Sequence, residues 1–211
     1  RLVARRALIP PALGVALGVL VGLYDKGLVL PPEVAPHDFV ESLAWLPRLV
    51  VEDSRFANNR ARGILIGTRH VTISGCTFNG TTGPAIKAQP GNYMYCESTF
   101  LEDVAIVNNS VSACNFGAAA APGHIWLSSW VSVFNGSEPT PKGTFPASGT
   151  VHKNVTVLGN SFVLGDAKDS NAAVYLDATQ LVRVEDNRVA YASARSPSDM
   201  DINLRSVTGA T

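Results

Sequence analysis

The chain has 211 residues and 17 Lys and Arg against 17 Asp and Glu, a formal net charge of zero without any basic run. Phosphate contacts need clustered cations, so nucleic acid is not an expected partner. With 46% hydrophobic residues, 16% charged residues and 18 glycines, the chain can build a real core from strands joined by tight turns. Three cysteines (Cys76, Cys96, Cys114) and four histidines (His37, His70, His124, His152) show no metal-ligand spacing, so no metal or other cofactor is expected.

Residues 1–36 read as an N-terminal segment of apolar strands or linker, ahead of a repeat region over 37–211. Arg1, Arg5 and Arg6 precede an apolar run from 7 to 24, which has the look of a signal peptide or membrane anchor. Pro10-Pro11 interrupts that run, and Gly14, Ala16, Gly18 and Gly22 dilute it. The favoured reading is a hairpin: Val19 to Tyr24, a turn at Asp25-Lys26-Gly27, then Leu28 to Leu30. An extracellular or secretory-pathway location is expected, membrane-anchored if the run is an anchor. Pro31, Pro32, Pro36 and Pro47 mark an extended crossing into the repeats.

Five stretches then share one register: 49–56, 71–78, 104–111, 155–162 and 182–189. Apolar residues occupy the first, third and eighth places, as in Val71/Ile73/Phe78 and Val155/Val157/Phe162. Alternation at period two makes each a strand with one buried face. The sixth place is small or polar every time (Ser54, Cys76, Asn109, Asn160, Asn187), which implies a tight bend between two strands. Stacked units would set the three asparagines in a ladder, each amide bonding its neighbours above and below. A second register follows: Ile64-Leu65-Ile66, Ile86-Lys87-Ala88, Ile125-Trp126-Leu127, Val174-Tyr175-Leu176 and Ile202-Asn203-Leu204.

The pattern predicts an all-β fold, a right-handed single-stranded parallel β-helix (solenoid) of about five coils. The chance alternative is an antiparallel β-sandwich, whose strands also alternate. Repeat starts lie 22, 33, 51 and 27 residues apart, so the longer repeats carry loops that leave the stack. After Val189 the pattern fades, and 193–199 reads as a polar turn before the last strand.

The middle residues of the second register should point outward, giving a row Leu65, Lys87, Trp126, Tyr175, Asn203. Adjacent coils lie about 4.8 Å apart, which would stand Lys87, Trp126 and Tyr175 side by side. Indole and phenol faces stack on the C–H faces of sugars, and a lysine can donate to hydroxyls. The two longest loops, 89–103 and 128–153, leave just after this row and could wall a groove. The plain alternative is that the aromatics only cover neighbouring loops. Tyr95, Glu97, Glu102 and Asp103 are polar candidates beside it; Asp103 could equally cap its turn. Arg60 and Arg62, in Asn58-Asn-Arg-Ala-Arg-Gly63, could clamp hydroxyls or a carboxylate, or bond loop carbonyls. The histidines read as structural or solvent-exposed. Cys76 reads as a small buried residue, and Cys96 and Cys114 could pair. Four glycosylation sequons begin at Asn79, Asn108, Asn135 and Asn154, and in an Asn- and Thr-rich β-helix they weigh little.

The run from His37-Asp38-Phe-Val-Glu41 through Trp45-Leu-Pro47 to Phe56-Ala-Asn-Asn-Arg-Ala-Arg-Gly-Ile-Leu-Ile66 resembles glycoside hydrolase family 110. The resemblance continues through Val71-Thr-Ile73, Gly83-Pro-Ala-Ile86, Tyr95-Cys-Glu97-Ser98, Asp103-Val-Ala-Ile106 and Val151-His152-Lys-Asn154, covering about 37–190. Arg-Ala-Arg-Gly is its most specific part; the V-x-I strands are generic to β-helices. The resemblance implies an α-1,3-galactosidase-like parallel β-helix with a β-barrel insertion, acting by inversion on glycans. It would place residues 7–30 near the end of that barrel. Two departures stand out. Where the family tends to have an acidic residue and a tryptophan, this chain reads Gln89-Pro-Gly-Asn-Tyr-Met-Tyr95. The family's catalytic aspartates, including an adjacent pair, lie in coils ahead of Arg-Ala-Arg-Gly, and this sequence has no adjacent aspartates. The resemblance therefore implies the C-terminal part of such an enzyme. Its partners would be an α-galactoside glycan and the missing N-terminal coils. Arg60, Arg62, Lys87, Tyr95, Glu97, Trp126 and Tyr175 would be on the substrate side, with the catalytic pair elsewhere. The alternatives are a non-catalytic glycan-binding or adhesion β-helix and a purely structural module.

Overall fold

The computed structural model describes residues 2–5, 39–42, 47–88, 100–117, 122–128, 130–133, 143–146, 150–165, 171–192 and 201–211. All regular structure among them is β-strand, and three parallel sheets run the length of the stack. The first sheet holds β3 (Arg48–Glu52), β6 (Arg69–Ser74), β9 (Glu102–Val107), β14 (His152–Leu158), β17 (Thr179–Glu185) and β20 (Thr208–Ala210). The second holds β4 (Arg55–Ala57), β7 (Thr77–Asn79), β10 (Ser110–Ser112), β15 (Ser161–Leu164) and β18 (Arg188–Tyr191). The third holds β5 (Ile64–Ile66), β8 (Ile86–Ala88), β11 (Gly123–Leu127), β16 (Ala172–Asp177) and β19 (Ile202–Arg205). Each coil contributes one strand to each sheet in the same order. Among the described residues that is a parallel β-helix of five coils, with β20 opening the next turn.

The expected register holds residue for residue. Leu49, Val71, Val104, Val155 and Val182 pair in one column. Phe56, Phe78, Val111, Phe162 and Val189 pair in another. Inward residues such as Ile73, Phe78, Ile106, Ile125, Val157 and Phe162 are fully buried and form one continuous core. Complete burial of each such side chain contributes about 1.5–3 kcal/mol. Phe56 and Phe78 stack with centroids 5.0 Å apart.

The asparagine ladder forms at the first bend. Asn109 Nδ2 donates to Asn160 Oδ1 at 2.9 Å, and Asn160 Nδ2 donates to Asn187 Oδ1 at 2.9 Å. The same carbonyl oxygens accept the N–H groups of Asn109 and Asn160, and Cys76 N–H donates to Asn109 Oδ1. Immediately before the ladder, Asp53, Gly75, Asn108, Gly159 and Asp186 all have positive φ, from 46° to 65°. A Cβ on Gly75 or Gly159 would lie 2.4 Å from the side-chain oxygen of Asp53 or Asn108. Those two places need glycine for both conformation and space.

The cysteines, the loops and the N-terminal segment lie outside the repeat pattern. Cys114 is a buried free thiol, as is Cys76, so Cys114 makes no disulfide with Cys96, which lies outside the described residues. In the loop after β11, β12 (Trp130–Val133) and β13 (Gly143–Pro146) pair antiparallel. Near the N-terminus, β1 (Leu2–Arg5) pairs antiparallel with β2 (Phe39–Ser42). The hairpin expected over 19–30 lies outside the described residues. Among those described, no helix is long and apolar enough to cross a membrane.

Candidate functional site

The outward row of the third sheet assembles as its spacing implies. Leu65 pairs with Lys87, Lys87 with Trp126, Trp126 with Tyr175, and Tyr175 with Asn203. The row is more closed than an open sheet face, because Lys87, Trp126 and Tyr175 are each half-buried. Lys87 Nζ lies over the Trp126 ring, 4.3 Å from its centroid, a cation–π contact that partial burial strengthens. Part of the indole face is thus covered by the protein's own lysine. Among the described residues, the buried Trp126 Nε1 has no hydrogen-bond partner.

Burial pushes the Lys87 ammonium down to about 8, and the neighbouring positive charge of Arg62 pushes in the same direction. Arg62 therefore belongs to the electrostatic surroundings of this row. Both arginines of the Arg-Ala-Arg-Gly bend are exposed. Their backbone is held firmly: the Arg60 carbonyl accepts the Thr82 hydroxyl, and Ala61 O accepts Gly83 N–H at 2.9 Å. A Cβ on Gly63 would lie 2.5 Å from Ala85 O and 2.7 Å from the Phe78 ring, so the bend requires glycine there. Tyr95 and Glu97 lie outside the described residues.

At the far end of the row, Tyr175 is hydrogen-bonded to Arg205. Asp177, in register with Arg205, is buried. Burial raises its carboxyl, while Arg205, the Ala178 N–H and the Ser206 hydroxyl hold it down. A half-buried lysine over an indole at one end and a tyrosine–arginine–aspartate group at the other can bind a polar ring through its hydroxyls and its C–H face.

Other polar residues gather where periodicity gave no warning. His124 and His152 are buried, and His152 Nδ1 accepts the Leu101 N–H at 3.1 Å. Burial lowers the His152 pKa to about 4, so it is neutral at physiological pH. On the outer face of the first sheet, His70 Nδ1 lies 3.0 Å from Asp103 Oδ2, and Asn154 Nδ2 donates to Asp103 Oδ1 at 2.6 Å. Asp103 therefore does more than cap a turn: it bridges three coils. The one hint in the sequence is that these residues share a place relative to the V-x-I strands. Among the described residues no group of His, Cys, Asp or Glu could hold a metal ion.

No family model matches the chain. The similarity first seen around Arg-Ala-Arg-Gly holds against curated proteins. The chain is 25% identical over 176 residues, 83% of its length, to alpha-1,3-galactosidase A of Akkermansia muciniphila. It is 33% identical over 134 residues, 63% of its length, to alpha-1,3-galactosidase A of Streptomyces avermitilis. It is 27% identical over 146 residues, 68% of its length, to alpha-1,3-galactosidase B of Bacteroides thetaiotaomicron. The matched region spans 26%, 19% and 22% of those three relatives. The chain is thus a parallel β-helix similar to about a quarter or less of the length of curated α-1,3-galactosidases.

Proposed function

We propose that this chain is part of a galactosidase-like, carbohydrate-active β-helix protein acting outside the cytoplasm on glycans ending in α-galactose. The observation that carries this reading is the similarity to four curated α-1,3-galactosidases. The in-register Lys87, Trp126 and Tyr175 row supports it with groups suited to a sugar. In this reading Trp126 and Tyr175 contact the sugar's C–H face, while Lys87, Arg60 and Arg62 donate to its hydroxyls. The reading also counts Tyr95 and Glu97 among the substrate-side residues, as the resemblance implies.

Inverting hydrolysis needs a general acid and a general base set roughly 6.5–9.5 Å apart across the scissile bond. The chain has no adjacent aspartates, and the resemblance assigns the acid–base pair to coils N-terminal to Arg-Ala-Arg-Gly. The chain by itself then supplies one side of an active site. The absence of adjacent aspartates from the sequence favours a second reading, a non-catalytic glycan-binding or adhesion module built on the same row.

An activated aryl α-galactoside tests the first reading. The chain alone should give no turnover, and a protein extended N-terminally by the preceding coils should hydrolyse it with inversion. Turnover by the chain alone that Glu97→Gln abolishes would overturn the assignment of catalysis to preceding coils. An extended protein that binds the galactoside without cleaving it would favour the non-catalytic module.

A further inference from the structure

The outer face of the first sheet carries a polar site that the third-sheet row leaves unexplained. Thr72, Ala105 and Thr156 stand in register on successive coils. Ala105 offers a single methyl where the neighbours on either side, about 4.8 Å away, carry hydroxyls. The surface therefore dips at its middle. Along one edge of the dip run His70, Asp103 and Asn154, each in the left-handed region with φ of 55°, 56° and 56°. A local turn of this kind interrupts regular pairing and re-aims a side chain. Here it brings the three together, with Asp103 accepting from Asn154 and pairing with His70. These residues and Arg48 line an open groove of about 500 Å³, within the size range of small-molecule sites.

We propose that this groove is a second carbohydrate site, separate from the Lys87, Trp126 and Tyr175 row, and that it takes a neutral sugar with its ring over Ala105. A pyranose presents hydroxyls that both donate and accept around an apolar C–H face. The groove matches that arrangement. Asp103 accepts, Arg48 and Asn154 donate, Thr72 and Thr156 do either, and Ala105 is the apolar floor. The Asp103 carboxylate lies in the lining with the Arg48 guanidinium, so the groove is not the purely cationic surface that an anionic ligand would need. The His70 and Asp103 side chains remain 63% and 46% exposed, so a ligand can reach both.

The inference rests on the carbohydrate reading of the chain, and residue-resolved binding separates the two. The full chain, labelled for NMR, is titrated with methyl α-galactoside and, separately, with inorganic sulfate. Methyl α-galactoside should shift the amides of Thr72, Asp103, Ala105 and Thr156 as one saturable group. Ala105→Trp fills the dip and should abolish that group of shifts while leaving those around Trp126 in place. Asp103→Asn, which keeps the shape but removes the charged acceptor, should weaken binding there by about tenfold. Shifts confined to the Trp126 face would overturn this second site and leave the proposed function standing. Sulfate shifting the groove where the galactoside does not would overturn the neutral-sugar assignment. No galactoside response on either face would overturn both.

Discussion

Replacing Asn160 by Leu removes the central rung of the ladder while keeping the branched side-chain skeleton. Asn160 is fully buried. Its Oδ1 accepts both the backbone N–H and the side-chain Nδ2 of Asn109, each at 2.9 Å. Its Nδ2 donates to Ile106 O and to Asn187 Oδ1, again at 2.9 Å. Leucine leaves two buried donors of Asn109 without that acceptor. Each orphaned donor costs about 1–3 kcal/mol. Asn109 Nδ2 keeps its bond to Ile73 O at 3.0 Å, which places the total at about 2–5 kcal/mol. Asn187→Leu is the matched control. It also removes an acceptor for two donors, but residue 187 is half-buried, so water can reach the gap and the cost should fall to about 1–2 kcal/mol. Urea unfolding followed by circular dichroism measures both, with the slope m unchanged for a clean comparison. A loss below about 1 kcal/mol for Asn160→Leu, or equal losses for the two variants, would refute the ladder as a buried stabilising element.

Gly63→Ala should lower the melting temperature by an amount equivalent to about 1–3 kcal/mol, because its Cβ would meet Ala85 O at 2.5 Å; an unchanged melting temperature would contradict that tight bend. The His152 pKa of about 4 lies below its unfolded value of 6.5, so the unfolded chain binds the extra proton first. Stability should fall as pH drops from 6.5 towards 4. His152→Leu should flatten that slope while destabilising the chain at neutral pH by removing the acceptor of the Leu101 N–H. Lys87 should titrate near 8 rather than 10.5, which ¹³C NMR of the reductively methylated chain would read. Arg62→Ala should move that titration upward, and an unmoved value would detach Arg62 from the row.

The coil architecture was legible because one physical rule repeats five times. Every inward place must be apolar and every ladder place small or amide-bearing, so Phe78 and Phe162, or Asn109 and Asn160, announce their own stacking. The outward row could be read by the same parity, since a residue between two buried neighbours faces out. Its environment could not. Parity does not tell that the Lys87 ammonium folds over Trp126, or that Arg205 of the next coil takes up the Tyr175 hydroxyl. The left-handed column was less legible still. His70, Asp103, Asn154 and Leu181 share φ near 55°; His, Asp and Asn favour that conformation only as a tendency, and Leu181 argues against it. The antiparallel pair β12 and β13 lies in a loop, where no repeat constrains the sequence.

The central claim is that this solenoid segment presents a glycan-binding face along Lys87, Trp126 and Tyr175. Calorimetric titration of the full chain with an α-1,3-linked galactobiose, comparing the unaltered chain with Trp126→Ala, tests it most directly. The account predicts saturable binding by the unaltered chain. The variant should bind at least about tenfold more weakly, with its unfolding transition intact. Equal affinity in the two proteins, or no binding by the unaltered chain, would contradict it.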